Sequence, residues 1–600
     1  MSIVRLVSDV VGGSSKSDVR IANLSESVNM FPETQGEGSS ASTMLRSVYG
    51  TKELCRPSTR ACRGLLDSSL TGDLYAVYGP SIYLIRFTEQ GTYSYTTLYS
   101  SLTNVDTPVS IVETGGTNPY ICIADGQNIV AIEANHLEPV DIIASIRTIA
   151  LPYRVNSTTE RINPTHLVYC YNYLLCTDSG SDAFYTSYQY PFERTYTNDS
   201  GAQSYVDSIN TGIAKVAETT YTVEQDDTEE DIDTKINQVK VDDTLTASEK
   251  QQIVSLLEDY KSYELWKLSP PGITGDTDYD IFMINPWRVS EVGYKDWGFV
   301  TYSEWSTDNT TALASSGSLL YTFGPKSTQL FTYNQSTTNP WVSPTNTANG
   351  IGLMAVNSVA TLADYVFFLG ASNVGDCGVY YWNKQTITKI STPDIERRIA
   401  TITNTTDAIG QCWVSAGHLQ YALTFKDGNL TLVYDILEGK WHRRASKAEY
   451  TNVQNYWRLT NARTWNRDLV FGTIDGRLVA EDKTKFTEYD GRPIVRIRRS
   501  GMLLDNGQNF YLDGIKLICN SGDFRNPNLE PKVMLRTCNC GGEWDNQEQG
   551  LLGKIGQYDY EVEWFNRGIF SLCTLELSCS EDCFFSILNA KISHTICDWF

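Results

Sequence analysis

The segment NLTLVYDILEGKWHRR, Asn429 to Arg444, alternates apolar and polar positions, breaks at a polar turn containing Gly439, and resumes its alternation at Trp441. A period of two belongs to a strand with one buried face, so the segment predicts a β-hairpin. Similar segments begin at Ser81 (SIYLIRFTEQGTYSYTTL), Asn128 (NIVAIEANHLEPVDII), Gln329 (QLFTYNQSTTNPWVS), Gly378 (GVYYWNKQTITKIS) and Arg477 (RLVAEDKTKFTEYDG), with AFYTSYQYPF from Ala183 as the poorest match. Tyr83, Val130 and Phe184 stand about fifty residues apart, and so do Phe331, Tyr380, Tyr434 and Ala480. A β-unit recurring every forty to fifty residues is the signature of a propeller, whose four-stranded blades pack around an axis. Continuous apolar runs such as YVFFLG (365–370) and LQYALTF (419–425) suit inner blade strands. The expected fold is therefore mainly β, a β-propeller of six or seven blades. An irregular stack of hairpins with coincidental spacing is the competing arrangement.

One interval breaks the rhythm. Phe184 to Phe331 is about three times the repeat, one blade plus roughly a hundred extra residues. Within it, EQDDTEEDID holds Glu224, Asp226, Asp227, Glu229 and Glu230, and TASEKQQIVSLLEDYKSYELWKL follows from Thr246. Thr246 with Glu249 makes a capping box, and Ile253, Leu256, Leu257, Tyr260 and Tyr263 form one apolar stripe, so a helix is expected there and Pro270-Pro271 ends it. The stripe is a face packed on its own domain or a contact with a neighbouring subunit. The acidic run is a solvated loop or a subunit or channel contact. Past Ser500 a turn-rich β-sandwich-like module is expected. The predicted organisation is an N-terminal arm and lead-in segment (1–55), first blades (56–194), an acidic, partly helical insertion (195–286), remaining blades (287–500) and a C-terminal β module (501–600).

Composition narrows the class. Tyr 36, Trp 13 and Phe 20 suit pleated, half-buried surfaces. No apolar run approaches the length of a membrane-spanning helix, and the first twenty residues lack the pattern of a secretory leader. A net charge of -23 argues against a protein that grips nucleic-acid phosphates. Seven of the fourteen cysteines lie in the last hundred residues, but there is no C-x-x-C and no matching His pair; reduced thiols are expected, and no metal or other cofactor.

Catalytic signatures are missing. There is no phosphate-binding G-x-x-x-x-G-K-[ST] loop, no H-E-x-x-H and no G-x-S-x-G, and five scattered histidines offer little acid–base chemistry. One basic strand, RPIVRIRRS, carries Arg492, Arg496, Arg498 and Arg499. It is read as an exposed strand, a subunit salt bridge or a contact with DNA phosphate in a channel. Thr537, Asn539, Gly541 and Trp544 approximate an Asp-box hairpin, in which the Trp plugs the turn.

The order of these motifs resembles the packaged-DNA stabilization (tail hub or nozzle) proteins of short-tailed, podovirus-type phages. SVNMFPE (27–33) and LRSVYGTKEL (45–54) are similar to that family's opening, SSGSLLYTFGPKSTQLFTY (315–333) to its strand pair, and the stretch 349–396 to its glycine turn, strand, hairpin and S-x-x-I-E helix start. LTLVYDILEGKWHRR resembles its V-Y-D…W hairpin and GKIGQYDYEVEWFNRG (553–568) its C-terminal module. The insertion has no counterpart. The resemblance implies a non-enzymatic structural protein of the virion tail, assembled in the host cytoplasm. It further implies a ring, commonly hexameric, that sits below the portal-adaptor, continues the double-stranded DNA channel, helps retain the genome and carries the distal needle, plug, fibre or spike. Acidic charge lining such a bore would repel DNA and keep the passage free. The competing function is a glycan-binding or glycan-hydrolysing propeller.

Overall fold

The computed structural model describes residues 3–597 apart from short segments, the longest of which are 135–145, 190–198 and 265–298. The chain divides into two compact units. The first comprises Met1–Val109, Ser303–Thr332 and Ser343–Phe600; the second comprises Ser110–Tyr302 and Tyr333–Val342.

Repeated antiparallel meanders build the first unit. Cys62–Asp67, Leu74–Tyr78, Ser81–Phe87 and Tyr93–Tyr99 form one sheet in chain order. Ala312–Ser316, Leu319–Phe323 and Thr328–Tyr333 run the same way, as do Ile351–Leu353 with Ala360–Leu362, Tyr365–Ser372, Cys377–Asn383 and Thr386–Lys389. Ile409–Ser415, His418–Phe425, Leu430–Asp435 and Lys440–Lys447 follow, then Leu459–Trp465, Asp468–Thr473 and Leu478–Asp482. The leading strands adjoin from sheet to sheet: Ala312 to Ala360, Ala360 to Ile409, Ile409 to Leu459, and Leu459 to Cys62. Sheets that meet through their first strands are propeller blades.

Packing between blades explains the continuous apolar runs. Val366 and Phe368 point into a core with Tyr321, Phe323 and Trp382, whereas Phe367 and Leu369 point the other way, among Tyr421, Leu423 and Trp441. Ala422 and Val433 in turn meet Trp413, Trp457 and Phe471. A middle blade is buried on both faces, so strict alternation is lost. The hairpin at Asn429–Arg444 forms as expected, with Tyr434 opposite Trp441 and Gly439 at φ +62.

The expected hairpin after Arg477 does not form. The outer partner of Leu478–Asp482 is Gly50–Cys55, which pairs from Asp482↔Gly50 to Leu478↔Cys55. The blade is completed by a strand from the other end of the sequence, and the residues after Asp482 turn away, bridging Thr487 to Pro493.

The C-terminal module is a sandwich that the N-terminal residues help to build. One sheet runs Met30–Thr34, Thr43–Ser47, Ser586–Ile596, Phe510–Cys519, Val562–Phe570, with Ile3–Leu6 added against Ser586–Ile596. In the other, Leu24–Val28 lies between Lys440–Lys447 of a blade and Arg496–Arg499, and Cys573–Cys579, Lys532–Asn539 and Glu548–Leu551 follow. Leu512, Ile515, Val533, Leu535, Trp564, Leu575 and Phe585 fill the space between them.

In the second unit, Ser110–Glu113, Tyr120–Ala124, Ile129–Glu133 and Ile146–Ile149 make one sheet, and Pro164–Cys170, Tyr173–Asp178, Ala183–Gln189 and Phe299–Tyr302 another. The insertion lies between the third and fourth strands of that last sheet, whose edges still meet at Phe184↔Thr301. It contains α1 (Asp199–Val216), α2 (Glu229–Val241) and α3 (Ala247–Glu264). The capping box is present: the Thr246 amide donates to Glu249 Oε2 at 2.7 Å and the Glu249 amide to Thr246 Oγ1 at 3.3 Å. Ile253, Leu257 and Tyr260 pack on Val206, Ile209, Ile213, Ile232, Ile236 and Val239. The stripe is thus an internal face of a three-helix cluster. The Tyr263 side chain and Pro270-Pro271 lie outside the described residues.

An arginine–glutamate seam as the candidate functional site

A short strand with a charge at its centre, LSESV (Leu24–Val28), is wedged between a blade and the sandwich. Its Glu26 is buried, and a lone buried carboxylate is costly unless paired. Three arginines from three elements converge on it. Arg398, from α4 (Pro393–Ala400), reaches Oε1 at 3.2 Å, and Arg443, from the blade strand, reaches the same oxygen at 3.1 Å. Arg499 reaches Oε2 at 2.5 Å and also holds buried Glu576 at 2.6 Å, which Arg536 meets from its other side at 2.6 Å. Burial alone would raise the Glu26 carboxyl; Arg443, Arg398 and Arg499 overcome it and hold the group down at about 2.

Asn29, three residues further on and just past the end of the strand, is the second half of the seam. At φ +54 it adopts the left-handed backbone that Asn tolerates better than most residues. Its Nδ2 donates to the Ala445 and Val495 carbonyls, each at 2.9 Å, and its Oδ1 accepts the Ala445 amide at 2.9 Å. The motif SVNM therefore places one amide side chain across the blade, the N-terminal strand and the approach to the sandwich.

The arginine-rich strand is the third component, and its placement corrects the expectation of an exposed or channel-facing surface. Arg496 is fully buried and donates to the carbonyls of Cys579, Glu581 and Cys583. Arg498 is equally buried and holds the Val10 and Gly13 carbonyls and Ser25 Oγ at 2.9, 3.0 and 3.1 Å. Arg499 is engaged by Glu26 and Glu576 as above, and half-buried Arg492 pairs with Asp490 at 3.1 Å. Their charge is used to bind strands together. The acidic candidates belong to the second unit. Glu224 is exposed; half-buried Asp227 accepts the Glu224 amide at 2.8 Å and pairs with Lys235. Asp226 and the side chains of Glu229 and Glu230 lie outside the described residues.

The predicted Asp-box also differs. Trp544 is half-buried and does not plug a hairpin; it lies under the guanidinium groups of Arg499 and Arg536, 5.6 and 4.8 Å from its ring centre. The turn is stapled by Asp545, which accepts the Thr537 amide at 2.5 Å and hydroxyl at 2.6 Å. Planar guanidinium groups over an indole gain cation–π attraction, so the aromatic side chain was recruited by the seam.

A second polar pair sits in the adjoining blade. His418 Nδ1 lies 2.7 Å from Asp435 Oδ2, both buried. Burial pulls this imidazole down, but Asp435, with Glu33 and Glu438, outweighs it and the net shift is upward. His442, beside Phe31, is pushed well below the ordinary range by burial and by Arg444. Asp435 Oδ1 also accepts the amides of Leu437 and Glu438, so the V-Y-D element caps its own turn. Among the described residues no three His, Cys, Asp or Glu side chains gather as a metal-binding group.

Sequence reasoning named Arg499 but not its partners Glu26 and Glu576, nor Arg398, Arg443 and Arg536, which share those carboxylates. The available signal was indirect: Arg496, Arg498 and Arg499 fall within four residues that hold no acid, and they need partners from elsewhere if the strand is buried.

These features define a β-propeller protein with a woven sandwich, in which the buried ionic groups serve as structural joints. Residues 298–480, less than half of the chain, match the Phage_stabilise family model, described as Bacteriophage P22 Gp10, beta-propeller. Over that stretch, which takes in Arg398 and Arg443, the protein is similar to a phage stabilisation protein. No curated protein matches the sequence. Among solved structures, a candidate 6-phosphogluconolactonase from Bacteroides fragilis is 11% identical with a TM-score of 0.30, covering 78% of this chain and 100% of that one. The AfRom2 CNH domain is 7% identical with a TM-score of 0.32, covering 72% and 99% respectively.

Proposed function

We propose that the protein is a structural component of a phage tail, a hub or nozzle that assembles as a ring below the portal-adaptor, continues the DNA passage and carries the distal tail parts. The observation that carries this reading is the family match over the blades at 298–480. The seam agrees with it: the buried charges found there join secondary-structure elements, as a load-transmitting part requires.

One surface supports assembly. Cross-strand register aligns Val4, Ser593, Gly514 and Phe565 in a row across one sandwich sheet. Val4 is 68% exposed, Phe565 62% and Ile569 60%. Apolar side chains clustered on an outer face mark a contact between proteins. In this reading they meet a neighbouring copy, and a closed ring satisfies every such face. The protein has no catalytic role here and holds DNA by enclosing it, its net charge of -23 disfavouring adhesion.

Electron microscopy of the purified protein, alone and with the adaptor of its phage, tests the proposal. Rings with a central opening, commonly six-fold, are the expected result. A monomer that joins neither itself nor the adaptor contradicts it.

A further inference from the structure

We infer that the hairpin tips of two adjacent blades form a binding site for a neutral oligosaccharide. A cavity of about 760 Å³ opens between the turn after Ser316 and the turns at Ala363-Asp364 and Lys384-Gln385. That size falls within the roughly 300–1,000 Å³ of small-molecule sites.

The walls are held rigidly. Ser316 Oγ donates to the Ala363 carbonyl of the next blade at 2.9 Å, and Tyr321 Oη to the Lys384 carbonyl at 3.1 Å. Ala363 and Lys384 have φ of +51 and +54, a left-handed backbone that costs energy for any side chain larger than glycine. Two tight turns, each tied to the neighbouring blade, give a cavity that is shaped before a ligand arrives, which lowers the entropy cost of binding.

The lining chemistry selects the ligand. Asp364, Asn383, Gln385, Thr386 and Thr388 face the cavity, and among the described residues their side chains make no hydrogen bond within the chain. A carboxylate and two amides supply paired acceptors and donors, and the hydroxyls can do either, which matches the vicinal hydroxyls of a sugar. Tyr381 adds an aromatic ring to the lining, packed at right angles to Tyr365 with centroids 5.2 Å apart and beside Phe367 at 5.8 Å. A sugar ring's C–H face packs on such a surface while its hydroxyls reach the polar groups. Asp364 and Lys384 are the charged residues of the lining, one of each sign, so no cluster of cations recruits phosphate or nucleic acid.

Isothermal titration of the full chain against maltotetraose, cellotetraose, chitotetraose and a galacturonate tetramer tests this. At least one neutral tetrasaccharide is expected to bind with a Kd below about 1 mM, and Asp364→Ala, Asn383→Ala and Tyr381→Ala each to weaken it tenfold or more, the first two without changing the melting temperature. Inorganic phosphate should not compete. Failure of all three neutral sugars to bind, binding that all three variants retain, or displacement by equimolar phosphate would overturn the site. The inference stands apart from the tail role: rings that bind no sugar remove only the site, and sugar binding by a chain that forms no ring removes only the tail reading.

Discussion

At the scale of single residues, stability rests on a few buried polar groups that have no substitute. Glu26→Gln leaves three guanidinium groups around a neutral amide; breaking a buried pair in this way costs about 3–5 kcal/mol, to be read from urea unfolding at pH 7. The pH dependence has a definite sign. Because the folded carboxyl is held at about 2, below its ordinary value of 4.5, Glu26 stabilises the fold at any pH above that ordinary value. The contribution then declines as pH falls from there toward 2. Wild type should lose more stability than Glu26→Gln between pH 5 and pH 3; parallel acid profiles would show that the three arginines do not act through this carboxylate. Asn29→Ala removes three hydrogen bonds and places a less tolerant residue at positive φ. At about 1 kcal/mol for each bond plus strain, the loss should exceed that of Asn29→Gly, which keeps the backbone conformation and loses only the bonds.

Elements show two kinds of independence. The three helices of the insertion have their own core, so Ile253→Ala, costing about 2–5 kcal/mol, should be felt locally. Hydrogen exchange should speed in α1, α2 and α3 while the amides of Leu432 and Val470 stay protected. The blade ending in Leu478–Asp482 has no such autonomy. Its outer strand is Gly50–Cys55, and removal of residues 1–55 exposes an unpaired edge as well as emptying the seam. An exposed edge templates further pairing, so the truncated chain should aggregate on light scattering; a soluble, cooperatively melting product would contradict the pairing described.

For the whole molecule, the outer sandwich row and the net charge lead to separate outcomes. Val4→Asp combined with Phe565→Asp places charges on the exposed apolar row without touching the core. Light scattering should then report a smaller assembly with an unchanged melting temperature. The unaltered protein should fail to retain double-stranded DNA even at about 50 mM salt, where counterion release favours any cationic binder. Binding that weakens steeply as salt rises would show a cationic surface at odds with the proposed passage.

The sequence by itself determined what local pattern can encode. Period-two alternation and a fifty-residue rhythm gave the blades, because strand geometry writes itself on neighbouring residues; Thr246 and Glu249 gave the start of α3, because a capping box spans four positions. Only the tertiary structure decided what depends on distant partners. Gly50–Cys55 completes a blade more than four hundred residues away, and no local pattern names such a partner. Arg496 and Arg498 resemble surface charges in a linear string and prove buried, because the carbonyls that solvate them come from Val10, Gly13 and the 579–583 turn. Glu26 shows the same limit: a carboxylate's environment is a sum over space, and three arginines from separate elements set it.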